Sequence, residues 1–162
     1  MPVAIYPGTF DPVTCGHVDI VERAARIFTK VVAVVADNPS KNWAFSTEER
    51  LSMLRDSLAH IPNVEVQSHK GLVVECFDQC DATVIIRGLR AISDFDYEFQ
   101  MAFTNRKLDA RAETIFLMPS AKYTYLSSTI VRQLASFGGD IRTLVPAPIH
   151  DRILARFTGA GK

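Results

Sequence analysis

Short apolar runs alternate along this chain with longer stretches in which apolar residues recur at helical spacing. Val3-Ala4-Ile5-Tyr6 is too short for a helix, is rich in strand formers and is stopped by Pro7-Gly8, so it predicts a strand. Val18, Val21, Ala24, Ala25 and Phe28 then share one helical face. The run from Val31 to Ala36 is continuous, apolar and largely β-branched, the pattern of a strand buried on both faces. Ser46-Thr47-Glu48-Glu49 has the residues of a helix start, and Leu51, Leu54 and Leu58 form the stripe that helix would bury. A short strand at Asn63-Val64-Glu65-Val66, a helix from about Leu72 to Gln79 and a second buried strand from Ala82 to Ile86 follow. Ser93-Asp94-Phe95 opens the longest helix, with Phe95, Phe99, Ala102 and Phe103 on one side. Thr114 to Met118 is the fifth strand, and the helix from Ser127 to Phe137 ends at Gly138-Gly139. Five short strands separated by helices predict an α/β fold, a doubly wound parallel sheet with helices on both faces.

In such sheets ligands bind at the carboxyl ends of the strands, and the polar residues fall where that rule requires. Thr9 and His17 follow the first strand, Lys41 the second, Arg87 and Arg90 the fourth, and Ser127, Ser128 and Thr129 the fifth. The loop holding Gly8, Thr9, Thr14 and Gly16 enters a helix with His17 in its first turn, and a helix start offers amide donors and a positive dipole end to an anion. Turn chemistry alone would need the glycines but not two threonines and a histidine. Arg87-Gly88-Leu89-Arg90 puts two guanidinium groups after a buried strand, where they bind phosphate or pair with Asp94 or Asp96. Ser127-Ser128-Thr129 caps a helix, a geometry that also suits phosphate. Lys41 and Glu98, taken alone, read as solvated charges, and Trp43 as loop packing.

Composition narrows the classes of function. The 162 residues fit one domain, expected over 1–157 with a flexible tail at 158–162. A formal net charge of zero argues against a general nucleic-acid or membrane-surface binder, so local basic residues must do any phosphate binding. No apolar run approaches the roughly 18 residues of a membrane span, and the N-terminus lacks the pattern of a signal peptide, so a cytoplasmic location is expected. Three cysteines without a disulfide spacing suit a reducing compartment. Cys76 and Cys80 share a helical face near His69, but small core residues are a better account of them than a metal site, which wants four ligands, and no metal ligand is assigned.

Thr9-Phe10-Asp11-Pro12 followed by Thr14-Cys15-Gly16-His17 resembles the Thr/His-x-Gly-His motif of the nucleotidyltransferase superfamily, in the form found in bacterial phosphopantetheine adenylyltransferases. Ile86-Arg87-Gly88-Leu89-Arg90 with Asp94-Phe95-Asp96-Tyr97-Glu98 is similar to that family's second motif, and Tyr123 through Arg132 to its third. Asn38-Pro39-Ser40-Lys41 resembles its Asn/Ser-Pro-x-Lys pattern. Two positions depart: Cys15 stands where Asn is frequent, and Leu126 where Ile or Val is usual. The resemblance runs from Ala4 to Pro146 and implies a Rossmann-like fold, transfer of AMP from ATP to 4'-phosphopantetheine, and Mg2+ as cofactor.

It also implies roles. His17, Lys41 and Arg90 would be catalytic. ATP would be bound by Thr9, Phe10, His17, Gly88, Leu89, Arg90, Glu98, Tyr123, Thr124, Tyr125, Leu126, Ser127, Ser128 and Thr129, and phosphopantetheine by Thr9, Lys41, Val73 and Arg87. A homohexamer is implied, with coenzyme A as a candidate feedback ligand. Relatives that act on nicotinamide mononucleotide or transfer CMP share the first motif, but Arg-Gly-Leu-Arg and the acidic-aromatic helix after it point to the pantetheine branch. A nucleotide sensor that kept the fold without catalysis would be expected to lack His17 or Arg90, and both are present.

Overall fold

Alternation along the central strands feeds two separate apolar layers. A computed structural model describes residues 2–38, 40–90 and 92–159, without the side chains of 92–94. The strands are β1 (Val3–Gly8), β2 (Lys30–Ala36), β3 (Val64–His69), β4 (Val84–Gly88) and β5 (Glu113–Leu117). All pair in parallel, in the order β3-β2-β1-β4-β5. Ala4 and Tyr6, Val31, Ala33 and Val35, and Val84 and Ile86 face the larger layer. Ile5, Val32, Val34 and Ile85 face a smaller one. The edge strands β3 and β5 are only partly covered, as one-sided positions along them require.

The helices are α1 (Cys15–Ile27), α2 (Thr47–Leu58), α3 (Cys76–Cys80), α4 (Ile92–Leu108), α5 (Ser128–Ser136) and α6 (His150–Thr158). The larger layer takes Ile20, Val21 and Ala24 of α1, Met53, Leu54 and Leu58 of α2, Val131 and Ala135 of α5 and Ile153 of α6. The expected start of α2 is a full capping box, with Ser46 Oγ accepting from the Glu49 amide and the Glu49 carboxylate from the Ser46 amide. The helix expected from about Leu72 to Gln79 is instead a single 3-10 turn, Val73–Glu75, running into the five residues of α3. Asp81 in the left-handed conformation closes it. Cys76 and Cys80 belong to the smaller layer, where burial pushes the Cys76 thiol up to about 11. Among the described residues no group of three His, Cys, Asp or Glu side chains is placed to hold a metal ion, and no helix is long and apolar enough to cross a membrane.

Two features were not expected from the pattern. The first is α6, which seats Ile153 in the core and Phe157 edge-on against Phe45 at 6.0 Å. It runs through Thr158, and Gly159 follows in the left-handed conformation; residues 160–162 of the expected tail lie outside the described residues. The second is the exposure along α4, where Phe95, Tyr97, Phe99 and Phe103 all remain accessible, with Phe95 stacked on Phe99 and Phe99 edge-on to Phe103. Of the motif that opens this helix, Asp94 has no described side chain. Ile153 is fully buried, so Ile153→Ala should cost about 2–5 kcal/mol, read as a lowered urea midpoint at unchanged slope.

Candidate active site

β1 and β4 lie side by side where the strand order reverses, and their carboxyl ends open a crevice. Gly88, the last residue of β4, brings the strand close to α1, since a Cβ there would stand 3.4 Å from the Ile20 side chain. The chain leaving β1 folds tightly over its own end. Phe10 takes a left-handed φ of 49° and its ring lies over Gly8, where a Cβ would meet it at 3.0 Å. Phe10 is fully buried and its ring is edge-on to the His17 ring at 5.0 Å, so it packs behind the histidine.

Three carbonyls of this loop, and that of Pro7 near the end of β1, accept hydrogen bonds from side chains of other elements. Arg87 Nη1 donates to the Pro7 carbonyl at 2.8 Å, Arg50 Nη1 to Thr9 at 2.8 Å, Arg132 Nη1 to Asp11 at 2.6 Å and Ser128 Oγ to Pro12 at 2.7 Å. The buried Asp11 carboxylate accepts from the amides of Ala44 and Phe45 at 3.0 and 2.9 Å, which ties the same loop to the segment before α2.

His17 is held by the helix it opens. Its Nδ1 accepts from the Thr14 amide at 3.0 Å, while Thr14 Oγ1 accepts from the His17 amide at 3.4 Å, so the pair forms a capping box with histidine in the place usual for glutamate. An Nδ1 that accepts leaves the ring proton on Nε2. Burial, then the charges of Arg90 and Arg87, lower the His17 pKa to about 3, so the ring is a neutral donor. The Cys15 amide donates to the Leu144 carbonyl. With the His17 amide capped by Thr14, two first-turn amides that a phosphate was expected to use already have partners, and Nε2-H becomes the directed donor of this wall.

Across the crevice, Arg87 meets Glu98 in a two-bonded fork, Nε and Nη2 each at 2.6 Å from a carboxylate oxygen. Burial works against the Arg87 charge, but the Glu98 carboxylate more than offsets it and holds the guanidinium pKa above its ordinary value. Burial pushes the neighbouring Tyr6 phenol up to about 12 although Arg87 and Arg90 pull it down. After these bonds Arg87 keeps one N-H on each of Nη1 and Nη2 for a ligand.

The remaining expected residues follow the carboxyl ends of β2, β3, β4 and β5. Arg90 Nη1 donates to the Leu126 carbonyl at 2.8 Å, joining the loop after β4 to the start of α5. Leu89 extends the ladder through its amide to the Leu117 carbonyl. Ser127 caps α5 by accepting from the Ile130 amide, and Thr129 accepts from Arg132. Tyr123 is half-buried against the larger layer, Thr124 bonds back to the Ala121 carbonyl, Tyr125 is exposed and Leu126 is buried. Lys41 is exposed with its Nζ 5.6 Å from the centre of the Trp43 ring. Val73 sits in the 3-10 turn beyond β3, packed on the smaller layer. The pattern did not single out Arg50, Asp11 or Arg132. Arg50 carried a signal, because it stands three and four residues before Met53 and Leu54 and therefore on the face α2 buries.

A parallel sheet with this order, bearing a neutral histidine donor and a cluster of guanidinium groups at its reversal point, defines a nucleotide-handling enzyme of the nucleotidyltransferase class. Residues 5–134 match the family model described as cytidylyltransferase-like. The chain is 52% identical over 154 residues to a phosphopantetheine adenylyltransferase of Dictyoglomus turgidum, covering 95% of this chain and 96% of that one. It is 49% identical over 158 residues to a phosphopantetheine adenylyltransferase of Methylococcus capsulatus, covering 98% of each. A solved structure from Vibrio parahaemolyticus, provisionally named a nicotinate-nucleotide adenylyltransferase, superposes with a TM-score of 0.68 over 95% of this chain and 94% of that one; at 17% identity it speaks for the fold alone. The chain belongs to the phosphopantetheine adenylyltransferases, within the cytidylyltransferase-like family.

The His17 assignment has a pH signature in the ligand-free protein. The folded pKa lies below the unfolded value of about 6.5, so between that pH and about 3 the unfolded chain binds the extra proton. His17 therefore favours the folded state fully above pH 7 and less as the pH falls. At pH 5 the nitrogen chemical shifts of His17 should be those of a neutral Nε2-H ring. Below pH 6.5 the stability of His17→Asn should fall less steeply than that of the unmodified chain, by up to about 1.4 kcal/mol per pH unit.

Proposed function

We propose that the crevice between β1 and β4 carries out the reaction of the family, transfer of the adenylyl group of ATP to 4'-phosphopantetheine, giving dephospho-coenzyme A and pyrophosphate, and that His17 is its central electrostatic donor. The observation that carries this reading is the neutral His17 ring, proton on Nε2, set within the field of Arg87 and Arg90. The acceptor phosphate is anionic at neutral pH, so neither a general base nor a covalent nucleophile is required. An oxygen of that phosphate forms a bond to the α-phosphorus of ATP as the bond from that phosphorus to the bridging oxygen breaks and pyrophosphate leaves. What the protein must do is bring two anions together and stabilise charge on the α-phosphoryl oxygens and the leaving group.

In this reading His17 Nε2-H donates to a nonbridging α-phosphoryl oxygen, with the backbone of Thr9 and Phe10 beside it. Lys41 and the two remaining N-H groups of Arg87 orient the acceptor phosphate, and Val73 contacts the pantetheine arm. Arg90 and the Ser127-Ser128-Thr129 turn hold the β- and γ-phosphates, while Gly88, Leu89, Glu98 and the segment from Tyr123 to Leu126 border the adenosine. ATP enters as its magnesium complex. Mg2+ bound with ATP would neutralise triphosphate charge. Coenzyme A contains both the pantetheine and the adenylate parts of the product and would compete for the same crevice.

The exposed aromatic ladder of α4 supports assembly of the chain into a homohexamer, in which copies cover that surface. Residues 1–157 serve as one catalytic domain, and the three free thiols suit a cytoplasmic enzyme.

Pyrophosphate should be released from ATP and Mg2+ only when 4'-phosphopantetheine is added; release that ignores the acceptor would sink the reading. His17→Ala should lower turnover by about 2–4 kcal/mol in activation free energy while substrate dissociation constants change little. Light scattering should give the mass of six chains, and an aspartate at Phe99 should reduce it.

A further inference from the structure

Arg50 is the largest of the fully buried side chains, yet it is a cation on a helix face otherwise given to Met53, Leu54 and Leu58. Its hydrogen bonds run to backbone carbonyls and a hydroxyl. Nη1 donates to the Thr9 carbonyl at 2.8 Å and to the Ala36 carbonyl at 3.1 Å, and Nη2 donates to Thr47 Oγ1 at 3.2 Å. Among the described residues Nε has no partner. Burial pulls the guanidinium pKa below its ordinary value, against Asp11, Asp37 and Glu48, which act to keep the charge. An apolar residue of similar volume at this position would avoid the desolvation of a cation and would suit a purely structural role as well or better.

The carbonyls joined at Nη1 belong to the two halves of the crevice. Thr9 lies in the loop that leads to His17, and Ala36 ends β2 just before the loop that carries Lys41. A single nitrogen therefore sets the spacing of the two loops. Arg50 also lies 5.2 Å from the centre of the Trp43 ring, and Lys41 Nζ lies 5.6 Å from the same ring, so the indole couples the buried cation to the exposed one.

We propose that Arg50 is a positioning residue for adenylyl transfer, fixing the loop that binds the α-phosphate against the loop that binds the acceptor phosphate. The proposal rests on the reaction assigned above. In a reaction between two bound anions without a base, the separation and alignment of the phosphorus and the attacking oxygen govern the rate, and an error of about 1 Å can cost on the order of 10²-fold. Loss of the clamp should leave each substrate's own contacts largely intact and disturb their relation.

The test measures pyrophosphate release for the unmodified enzyme, Arg50→Lys and Thr47→Val, with rates divided by the number of ATP-binding sites counted by titration. Dissociation constants for ATP and for 4'-phosphopantetheine are determined separately. Arg50→Lys, which keeps the charge but loses the fork, is expected to lower turnover per site at least tenfold with both constants within about threefold. Thr47→Val frees one arm of the same guanidinium and is expected to lower it in the same sense, by a smaller factor. Should Arg50→Lys fail to fold, Thr47→Val decides. Per-site turnover within twofold of the unmodified enzyme in the folded variants, whether or not the melting temperature falls, overturns the proposal. So does a loss confined to the affinity of one substrate. The unmodified enzyme serves as the control for the reaction itself: no acceptor-dependent release from it would refute the assigned function, whereas a normal rate there with normal variants would refute only the role of Arg50.

Discussion

The structure depends on how the backbone between Pro7 and Pro12 is satisfied. A segment leaving the end of a parallel strand has lost its ladder partners, and its buried carbonyls need donors. Here the donors are side chains: Arg87 from β4, Arg50 from α2, and Arg132 and Ser128 from α5. A hydrogen bond from a charged donor contributes about 1.5–3 kcal/mol, so this short loop is held at several points by elements distant in sequence. With three of the carbonyls drawn toward cations, the loop is pinned along its length. Two helices and a neighbouring strand thereby share control of where Thr9 and the start of α1 stand.

The same cations set the electrostatic character of the crevice. Arg87 carries the carboxylate of Glu98 as a fixed partner, which makes its presence in a partly buried site tolerable and fixes the direction of its remaining donors. Arg90 is tied to the Leu126 carbonyl and so joins the fourth and fifth strand ends. Burial first, and these two charges after it, make protonation of His17 unfavourable. Positive charge and a neutral donor are thus separated onto different side chains. In the proposed reaction, phosphates bring negative charge to the former while the latter aims a single proton.

Much of this was legible in the sequence because periodicity reports burial directly. The β-branched run Val31–Ala36 could only be an inner strand, and both strand-end arginines and the Ser-Ser-Thr turn fell at carboxyl ends of strands. What the pattern hid depends on contacts between distant segments. Cys76–Cys80 is too short to show a helical period, and α6 is recognisable only by what Ile153 and Phe157 touch. Arg50 was concealed by its charge, since a cation is usually assigned to solvent although its spacing from Met53 and Leu54 said otherwise. The state of His17 was beyond reach for a similar reason. The helix dipole and a bound phosphate pull its charge in opposite directions, and burial, the nearby arginine charges and the Thr14 amide at Nδ1 decide the matter.

That capping box carries one more implication. The bond that orients the imidazole is also one of the bonds that terminates the helix, so the tautomer is chosen when the first turn of α1 winds, rather than by the acidity of the medium. Fraying of that turn would release Nδ1, let the proton sit on either nitrogen and restore an ordinary histidine. The donor geometry at this position is therefore a by-product of local folding, and a chain that has not closed its first turn carries the residue without its fixed tautomer.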